Sequence, residues 1–326
     1  MSYSLKRIRK PIEEDLKVFE SYFRDSMKSS SNVPLLDRIM YYIVKRKGKQ
    51  VRPIVVFLSA SVIKGTNDST FIAASLVELL HTATLVHDDV VDDANYRRGF
   101  FSIKALWKNK IAVLVGDYLL SQGLLLAIKN KEFKILEIVS NAVKEISEGE
   151  LLQLEKARKL DIKEDVYYKI IKGKTASLIA AACAAGAASA TEDEATIEKM
   201  RLFGEKIGIS FQIRDDLFDY GTDDVGKPLG IDIKEKKMTL PLIYALSQAD
   251  KRTQSKIVRL VKRNNGDKKK INQVIDFVIK SGGLEYAKSA MLKFRAEAFE
   301  ILDEFQDSES KEALIELVNY IVERKK

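Results

Sequence analysis

The sequence predicts an all-α protein built as one helical bundle, and three observations carry that prediction. Turn formers are scarce, with 5 Pro and 16 Gly among 326 residues, too few for a sandwich or barrel of many short strands. Apolar residues recur at three- and four-residue spacing along most of the chain, the period of an amphipathic helix. No stretch alternates apolar with polar residues as a half-buried strand would, and no internal repeat stands out. Hydrophobic residues at 46% and charged residues at 31% lie in the globular range, which excludes a disordered chain or a nucleic-acid-binding tail. The length would permit two domains, but no Ser/Gly-rich linker divides them, so a single domain over residues 1–326 is expected.

The elements follow in order. Pro11 with Glu13, Glu14 and Asp15 starts a helix, because proline suits the first turn and acids suit the positive end of the helix dipole. Leu16, Phe19 and Phe23 form its apolar stripe. The run from Ser29 to Asn32 and Pro34 break it, and Leu35, Leu36, Ile39, Met40 and Ile43 carry a second helix ending near Gly48. Arg52-Pro53 opens a third, stopped at Gly65. A fourth runs from Ser69 through Leu79, Leu80 and Val86 to a charged end at Asp92 and Asp93. After a loop from Ala94 to Ser102, helical patterns cover Ile103 to Asn130, Lys131 to Lys159 and Ile162 to Ala190. Thr191 with Glu194 has the spacing of a capping box for a helix reaching Asp219 and Tyr220. Thr222 to Thr239 is polar and aperiodic, the longest expected ordered loop, and Pro241 begins another helix. Three or four more close the chain, punctuated by Asn264-Asn265-Gly266 and Gly282-Gly283.

A single cysteine, Cys183, forms no internal disulfide, so no oxidising compartment is required. Met1 to Lys10 is basic with no apolar run behind it, unlike a secretory signal. Leu178 to Ala190 is apolar and alanine-rich but shorter than the roughly 20 residues a membrane span needs. A cytoplasmic protein is expected. The net charge of +8 and pI near 9.2 suit nucleic acid, an anionic membrane or a polyanionic small substrate, and charge alone does not choose.

Two acidic clusters do choose. Asp88, Asp89, Asp92 and Asp93 end an apolar helix, with Asp88 and Asp92 one turn apart on one face. Such carboxylates repel one another, and a hard cation such as Mg²⁺ is the usual remedy. Alone, this reads equally well as a solvated helix end. Asp215, Asp216 and Asp219 repeat the spacing among Phe211, Ile213, Leu217 and Phe218, surroundings that make a solvated face a poor explanation. Two such clusters facing one cavity would share metal ions and bind a diphosphate, since Mg²⁺ takes a few carboxylates plus substrate phosphates and keeps waters. Lys49 and Arg52, the pair Arg97-Arg98, Lys174 and Lys227 are the cations placed to hold phosphate oxygens. In a chain with 55 Lys and Arg any one of them is by default a solvated charge. His81 lies two turns before Asp88 on its face and would donate to a phosphate, though a lone histidine on an apolar helix is more often a core residue. His87 is rotated from that face and is structural.

These residues resemble a family. Gly48-Lys49-Gln50-Val51-Arg52-Pro53, then HTATLVHDDVVDDANYRRG from His81 to Gly99, FQIRDDLFDY from Phe211 and GKPLGID from Gly226 are similar to trans-type polyprenyl diphosphate synthases over about Gly48 to Ile243. The resemblance implies an all-helical bundle around a deep central cavity (the isoprenoid synthase type I fold), usually a homodimer, that adds isopentenyl diphosphate head-to-tail (1'-4) to an allylic diphosphate. It places Asp88, Asp89, Asp92, Asp215, Asp216 and Asp219 at the metal, with Asp215 as the direct ligand of the second motif and three Mg²⁺ per site. Lys49, Arg52, His81 and Arg98 match the isopentenyl diphosphate pocket. Arg97, Lys174, Thr175, Gln212 and Lys227 match the catalytic groups around the allylic diphosphate. Those cations and the Mg²⁺ would stabilise departing pyrophosphate, the double bond of isopentenyl diphosphate would attack the allylic cation, and a proton lost to pyrophosphate would complete a chain five carbons longer. The oxygens of Thr175 and Gln212 would steady the cation. Cys183 is read as packing. Two departures stand out: Glu235-Lys236-Lys237 occurs where the family commonly has glycine between acid and lysine, and the loop from Tyr220 to Gly226 is shorter than usual.

Family members with short products often carry bulky aromatics one turn before the first aspartate motif. Here Ala83 and Thr84 stand there, and the opposing stretch from Gly116 to Leu126 has no aromatic beyond Tyr118. Each helical turn spans about 5.4 Å, near one extended isoprene unit, so an open tunnel and a heptaprenyl to nonaprenyl product are expected, of the kind used for quinone side chains. A greasy product would be released with transient membrane contact. Alternatives are a geranylgeranyl- or farnesyl-type short-chain synthase and a non-catalytic partner subunit, the latter expected to have lost one aspartate motif. A terpene cyclase or head-to-head condensing enzyme would not need Lys49, Arg52, His81 and Arg98, and a nucleic-acid-binding protein explains neither acidic cluster.

Overall fold

The computed structural model describes residues 5–27, 32–45, 48, 50–97, 99–157, 160, 162–221 and 229–323. Helices make up nearly all of it. The N-terminal segment packs as a short helix α1 (Leu5–Arg9), a 3₁₀ turn carrying Pro11, and α2 (Glu13–Ser26), whose Phe19 is fully buried. Helix α3 (Pro34–Lys45) follows, then α4 (Val51–Ile63) and α5 (Asp68–Val91). A two-residue hairpin, β1 (Tyr96–Arg97) with β2 (Phe100–Phe101), occupies the expected loop. Helices α6 (Ile103–Lys129), α7 (Phe133–Ala157), α8 (Glu164–Ile171), α9 (Ser177–Ala190) and α10 (Glu194–Phe218) form the body of the bundle. The single turn α11 (Ile231–Lys234) leads to α12 (Leu240–Ser247), α13 (Lys251–Lys262), α14 (Lys268–Lys280), α15 (Gly283–Asp303) and α16 (Glu309–Glu323).

Helix α9 is the hub, packed against α4, α5, α7 and α10. Its alanine-rich surface is buried nearly all round, the pattern of a helix enclosed by others, and small side chains let four neighbours approach. The outer layer adds α6 on α5 and α15 on α10. One large apolar cluster centres on α4, α5, α9 and α10, a second on α8, α10, α12 and α14, and a third on α3, α5 and α6. Helices α5 and α10 each contribute to two clusters, so the two acidic motifs sit on the best-anchored rods.

Four details differ from the expectation. Helix α10 is capped by Asp193, whose carboxylate accepts from the Thr196 amide at 3.0 Å, because the Thr191 hydroxyl instead closes a local turn by accepting from Asp193 N at 3.2 Å. The capping box lies at Asn67 and Thr70, at the head of α5. Helix α6 is kinked at Lys108, with φ 71° and ψ 164°, a region otherwise occupied by glycine. The expected helix from Ile162 to Ala190 is interrupted by a π turn over Lys172–Ala176.

Three helical runs, Asp68–Val91, Ile103–Lys129 and Glu164–Ala190, are long and apolar enough to cross a membrane by length and composition. Two bury most of their apolar window inside the bundle, whereas α6 buries only 33%. Leu106, Val113, Leu114, Leu124, Leu125 and Ile128 leave an apolar stripe on its outer side.

Candidate active site

Helix α5 delivers the first acidic cluster at its C-terminal end. The Asp92 amide donates to the Asp88 carbonyl at 2.8 Å, and Asp93 then turns left-handed at φ 52°, ending the helix. Asp89 is only 3% exposed and accepts from Arg97 Nε at 2.6 Å. The hairpin therefore serves to return Arg97 to the motif it follows. Asp93 is paired with Lys104 at the start of α6. Asp88 is half-buried; burial pushes its carboxyl above the usual range, Glu150 and Asp92 add to this, and Lys174 and Arg97 oppose it. Burial likewise raises Asp89, against the pull of its Arg97 hydrogen bond. His87 points away and lies on Gly116 of α6, where a Cβ would come within 2.1 Å of its ring. Its Nε2 stands 3.3 Å from the Val113 carbonyl and 3.4 Å from Asp117 Oδ1, which fixes the end of α5 against α6.

The second cluster is built from neutral donors. Asp216 is buried, accepting at Oδ1 from Gln212 Nε2 at 3.0 Å and at Oδ2 from the Tyr167 hydroxyl at 2.8 Å and the Leu240 amide at 3.3 Å. Burial outweighs these donors, aided by the nearby Asp232 charge, and the carboxyl is pushed up to about 7. Asp219 accepts from the Asp232 amide at 3.2 Å and is pushed up to about 6, again chiefly by burial and then by Asp232. Asp215, the residue before Asp216, is less buried than either.

Between the clusters lies the π turn. It exists where α7 and the chain entering α9 touch backbone to backbone: a Cβ on Gly149 would lie 2.8 Å from Lys174 N, and one on Gly173 would lie 2.8 Å from the Glu145 carbonyl. The widened turn re-aims Lys174 and Thr175, as π turns at functional sites do. Lys174 Nζ pairs with Glu150 at 2.5 Å beside Asp88, and the Thr175 hydroxyl donates to Gln212 Oε1 at 2.9 Å.

Two adjoining cavities open here, sharing Gly48, Gln50 and Glu78. One of about 230 Å³ is lined by His81, Thr82, Asp89, Arg97 and the hairpin aromatics Phe100 and Phe101. The other, about 610 Å³, is mostly apolar, lined by Ile179, Ala182, Ile207 and Phe211 together with Arg52 and Thr175. Thus Arg52 and Thr175 share one cavity and His81 and Arg97 the other, with Asp88, Lys174 and Gln212 linked to them by the contacts above. Lys49, Arg98 and Lys227 lie outside the described residues. Ala83 is fully buried against Ala112, Val115 and Leu119 of α6 and lines neither cavity. Thr84 is half-buried, one turn before Asp88 on its face, with its hydroxyl donated to the His81 carbonyl at 2.9 Å.

Four residues of the site were not singled out from the sequence. Asp232 lies within the GKPLGID segment and was legible there as a third acid. Glu150, Glu78 and Tyr167 sit inside ordinary helical patterns and carry no local signal; only the tertiary structure brings them to the site.

Among the described residues, no group of three or more acids, histidines or cysteines is placed to hold a metal ion by itself. The donor set nonetheless fits a hard cation: all-oxygen, partly desolvated, with acids raised by burial and by neighbouring carboxylates on either side of the π turn. A divalent ion held here needs further oxygens from an anionic ligand, which is how Mg²⁺ binds in phosphate sites.

Comparison with known proteins agrees with this geometry. The polyprenyl synthetase family model matches residues 33–278. The sequence is 35% identical to an all-trans-nonaprenyl-diphosphate synthase (geranyl-diphosphate specific) of Rhodobacter capsulatus, over 96% of each chain. It is 33% identical to a short chain isoprenyl diphosphate synthase of Methanothermobacter thermautotrophicus, over 92% of this chain and 94% of that one. The crystal structure of a polyprenyl synthase from Caulobacter crescentus CB15, complexed with calcium and isoprenyl diphosphate, is similar with a TM-score of 0.88 and 34% identity, covering 100% of this chain and 99% of that one.

Proposed function

The chain belongs to the polyprenyl synthetase family and is a prenyltransferase, and from that premise we propose that it extends an allylic diphosphate with isopentenyl diphosphate, using Mg²⁺, to a long all-trans chain of about seven to nine isoprene units. The observation that carries the reading is the pair of acidic clusters either side of the π turn, with Asp88 and Asp89 beside Lys174 and Arg97, and Asp216 joined through Gln212 to Thr175, which lines an apolar cavity of about 610 Å³. The long product is supported by the similarity to a nonaprenyl-diphosphate synthase and by the small Thr84 on the Asp88 face of α5.

In this reading Asp88, Asp92 and Asp215 hold the metal, and Asp89, Asp216 and Asp219 keep the neighbouring side chains in place. Bound Mg²⁺ supplies positive charge to the diphosphate leaving group. Lys174, Arg97 and Lys227 bind the same oxygens and orient the allylic carbon toward Thr175. Arg52, His81, Lys49 and Arg98 hold the second diphosphate so that its double bond faces that carbon. Apolar walls exclude water, so the cation meets the alkene and is not hydrolysed. Thr175 and Gln212 face the cation with neutral oxygens, which stabilise it without forming a bond. The exposed stripe on α6 suits a second copy of the chain, giving a cytoplasmic homodimer that touches a membrane transiently to release its product for a quinone side chain.

The test is incubation of purified protein with labelled isopentenyl diphosphate, farnesyl diphosphate and Mg²⁺, with and without EDTA, with products sized by reverse-phase chromatography. A metal-dependent ladder ending at seven to nine units is expected. A ladder ending at four units would overturn the long-chain assignment and keep the chemistry; no elongation would overturn both. Thr84→Phe, placed on the Asp88 face, should shorten the ladder, whereas Ala83→Phe would be forced into packed core and destabilise the protein by about 1–3 kcal/mol or more.

A further inference from the structure

One hydrogen-bonded line crosses the site, from Tyr167 on α8 through Asp216 and Gln212 on α10 to Thr175 on the π turn. We propose that Tyr167 and Asp216 are positioning residues that fix the donor direction of this line, so that Thr175 presents lone pairs to the cavity and keeps its O–H turned away. The proposal deepens the prenyl-transfer reading and rests on it, because it concerns the group beside the developing cation.

A backbone amide and a side-chain amide nitrogen only donate, and Asp216 accepts at both oxygens: from the Tyr167 hydroxyl and the Leu240 amide at Oδ2, and from Gln212 Nε2 at Oδ1. The amide end of Gln212 is thereby committed to Asp216, and its Oε1 faces Thr175. That oxygen has no hydrogen to give, so the single Thr175 hydrogen is spent on it, at 2.9 Å. The remaining lone pairs of Thr175 Oγ1 face outward from the line, and Thr175 stands in the lining of the larger cavity. A lone pair beside an allylic cation attracts it, and an O–H in the same place would repel it. Tyr167 is the far anchor. With Leu240 it holds Oδ2, which sets the carboxylate plane and aims Oδ1 at Gln212. It is buried and lines neither cavity, so it acts only through the line.

The experiment is a double-mutant cycle on the first condensation, run at pH 8 with saturating Mg²⁺. Tyr167→Phe removes one oxygen and should lower kcat about tenfold, the usual scale for loss of a supporting contact, with both KM values kept within about twofold. Thr175→Val should cost at least as much. Adding Tyr167→Phe to Thr175→Val should cost nothing further, whereas in a Thr175→Ser background, which keeps the hydroxyl, the tenfold loss should return. Losses that multiply in the Val background, or a Tyr167→Phe effect confined to KM, would overturn the proposal. Should Tyr167→Phe fail to fold, Asp216→Asn, which keeps the volume but lets the Gln212 amide turn over, takes its place in the same cycle. Failure of the wild-type protein to elongate isopentenyl diphosphate would count against the prenyl-transfer reading itself, and the cycle would then not arise.

Discussion

The two acidic clusters have nearly the same sequence pattern and opposite electrostatic surroundings. At the end of α5, Asp89 is paired with Arg97, Asp93 with Lys104, and Lys174 stands beside Asp88. On α10, Asp216 and Asp219 are buried among neutral donors, Tyr167, Gln212 and backbone amides, with Asp232 as a further negative neighbour. The first cluster is compensated directly by cations already in the chain; at the second, Asp216 and Asp219 accept from neutral groups while Lys237 pairs with Asp232 at 3.6 Å, and those two carboxylates are the more expensive to keep ionised. Equal motifs therefore have unequal needs, and a positively charged ligand complex relieves the second more than the first.

The largest expected effects break both sides at once. Asp88→Asn and Asp215→Asn should each lower kcat by roughly 10²- to 10³-fold at saturating Mg²⁺, the scale for losing one transition-state charge contact; steady-state kinetics checks this, and a loss of only a few-fold at either position would remove it from the metal set. Next, Arg97→Ala leaves the Asp89 carboxylate buried without its partner and should cost on the order of 2–3 kcal/mol in denaturant unfolding. Adding Asp89→Asn should recover part of that loss, because the stranded charge is then gone.

The third effect separates the clusters by pH. Asp216 and Asp219 titrate at about 7 and about 6 in the folded protein, against an unfolded value near 3.8. The folded state therefore binds more protons between pH 4 and 7, so these groups make unfolding harder as pH falls through that window and easier as it rises. The slope is about 1.4 kcal/mol per pH unit for each group within its own window. Melting temperatures of ligand-free protein should thus rise from pH 7.5 to 5.5, and Mg²⁺ with pyrophosphate should flatten the slope. A flat ligand-free profile would mean the second cluster is not desolvated as described.

The smallest effects concern two lysines in glycine-like backbone. Lys236 has φ 61° and closes α11, with the Lys237 amide bonded to the Asp232 carbonyl at 2.8 Å, an arrangement that favours glycine. Lys108 has φ 71° and ψ 164° at the kink of α6. Lys236→Gly and Lys108→Gly should each stabilise the protein by about 0.5–1 kcal/mol, the left-handed penalty less the entropy glycine adds to the unfolded chain. Chemical denaturation reads this directly.

Much of the fold was legible because helical period and start signals are local. Pro11, Pro34, Arg52-Pro53 and Gly221 mark real boundaries to within a few residues. What was not legible depends on contacts far apart in sequence. The π turn at Lys172–Ala176 arises from Gly149 and Gly173 meeting across two helices, and nothing in the local pattern of Ile162 to Ala190 announces it. The cap of α10 was misplaced by two residues because Thr191 and Asp193 compete for one role. At the site, the aspartates, Arg97 and Lys174 stood out by spacing and position, Thr175 and Gln212 only through the family resemblance, and Lys236 as a departure from that family's glycine. Tyr167 and Glu150 were not, since a tyrosine or glutamate on a helix has no chemistry until its partner is known. Ala83 was readable by spacing yet faces α6, one position round the helix from Thr84.

The central claim is that the two clusters bind metal jointly with a diphosphate and not alone. Thermal unfolding with Mg²⁺, pyrophosphate, or both tests it most directly. The account predicts little shift with either alone at millimolar Mg²⁺ and a rise of several degrees with both. An equal rise with Mg²⁺ alone would contradict it.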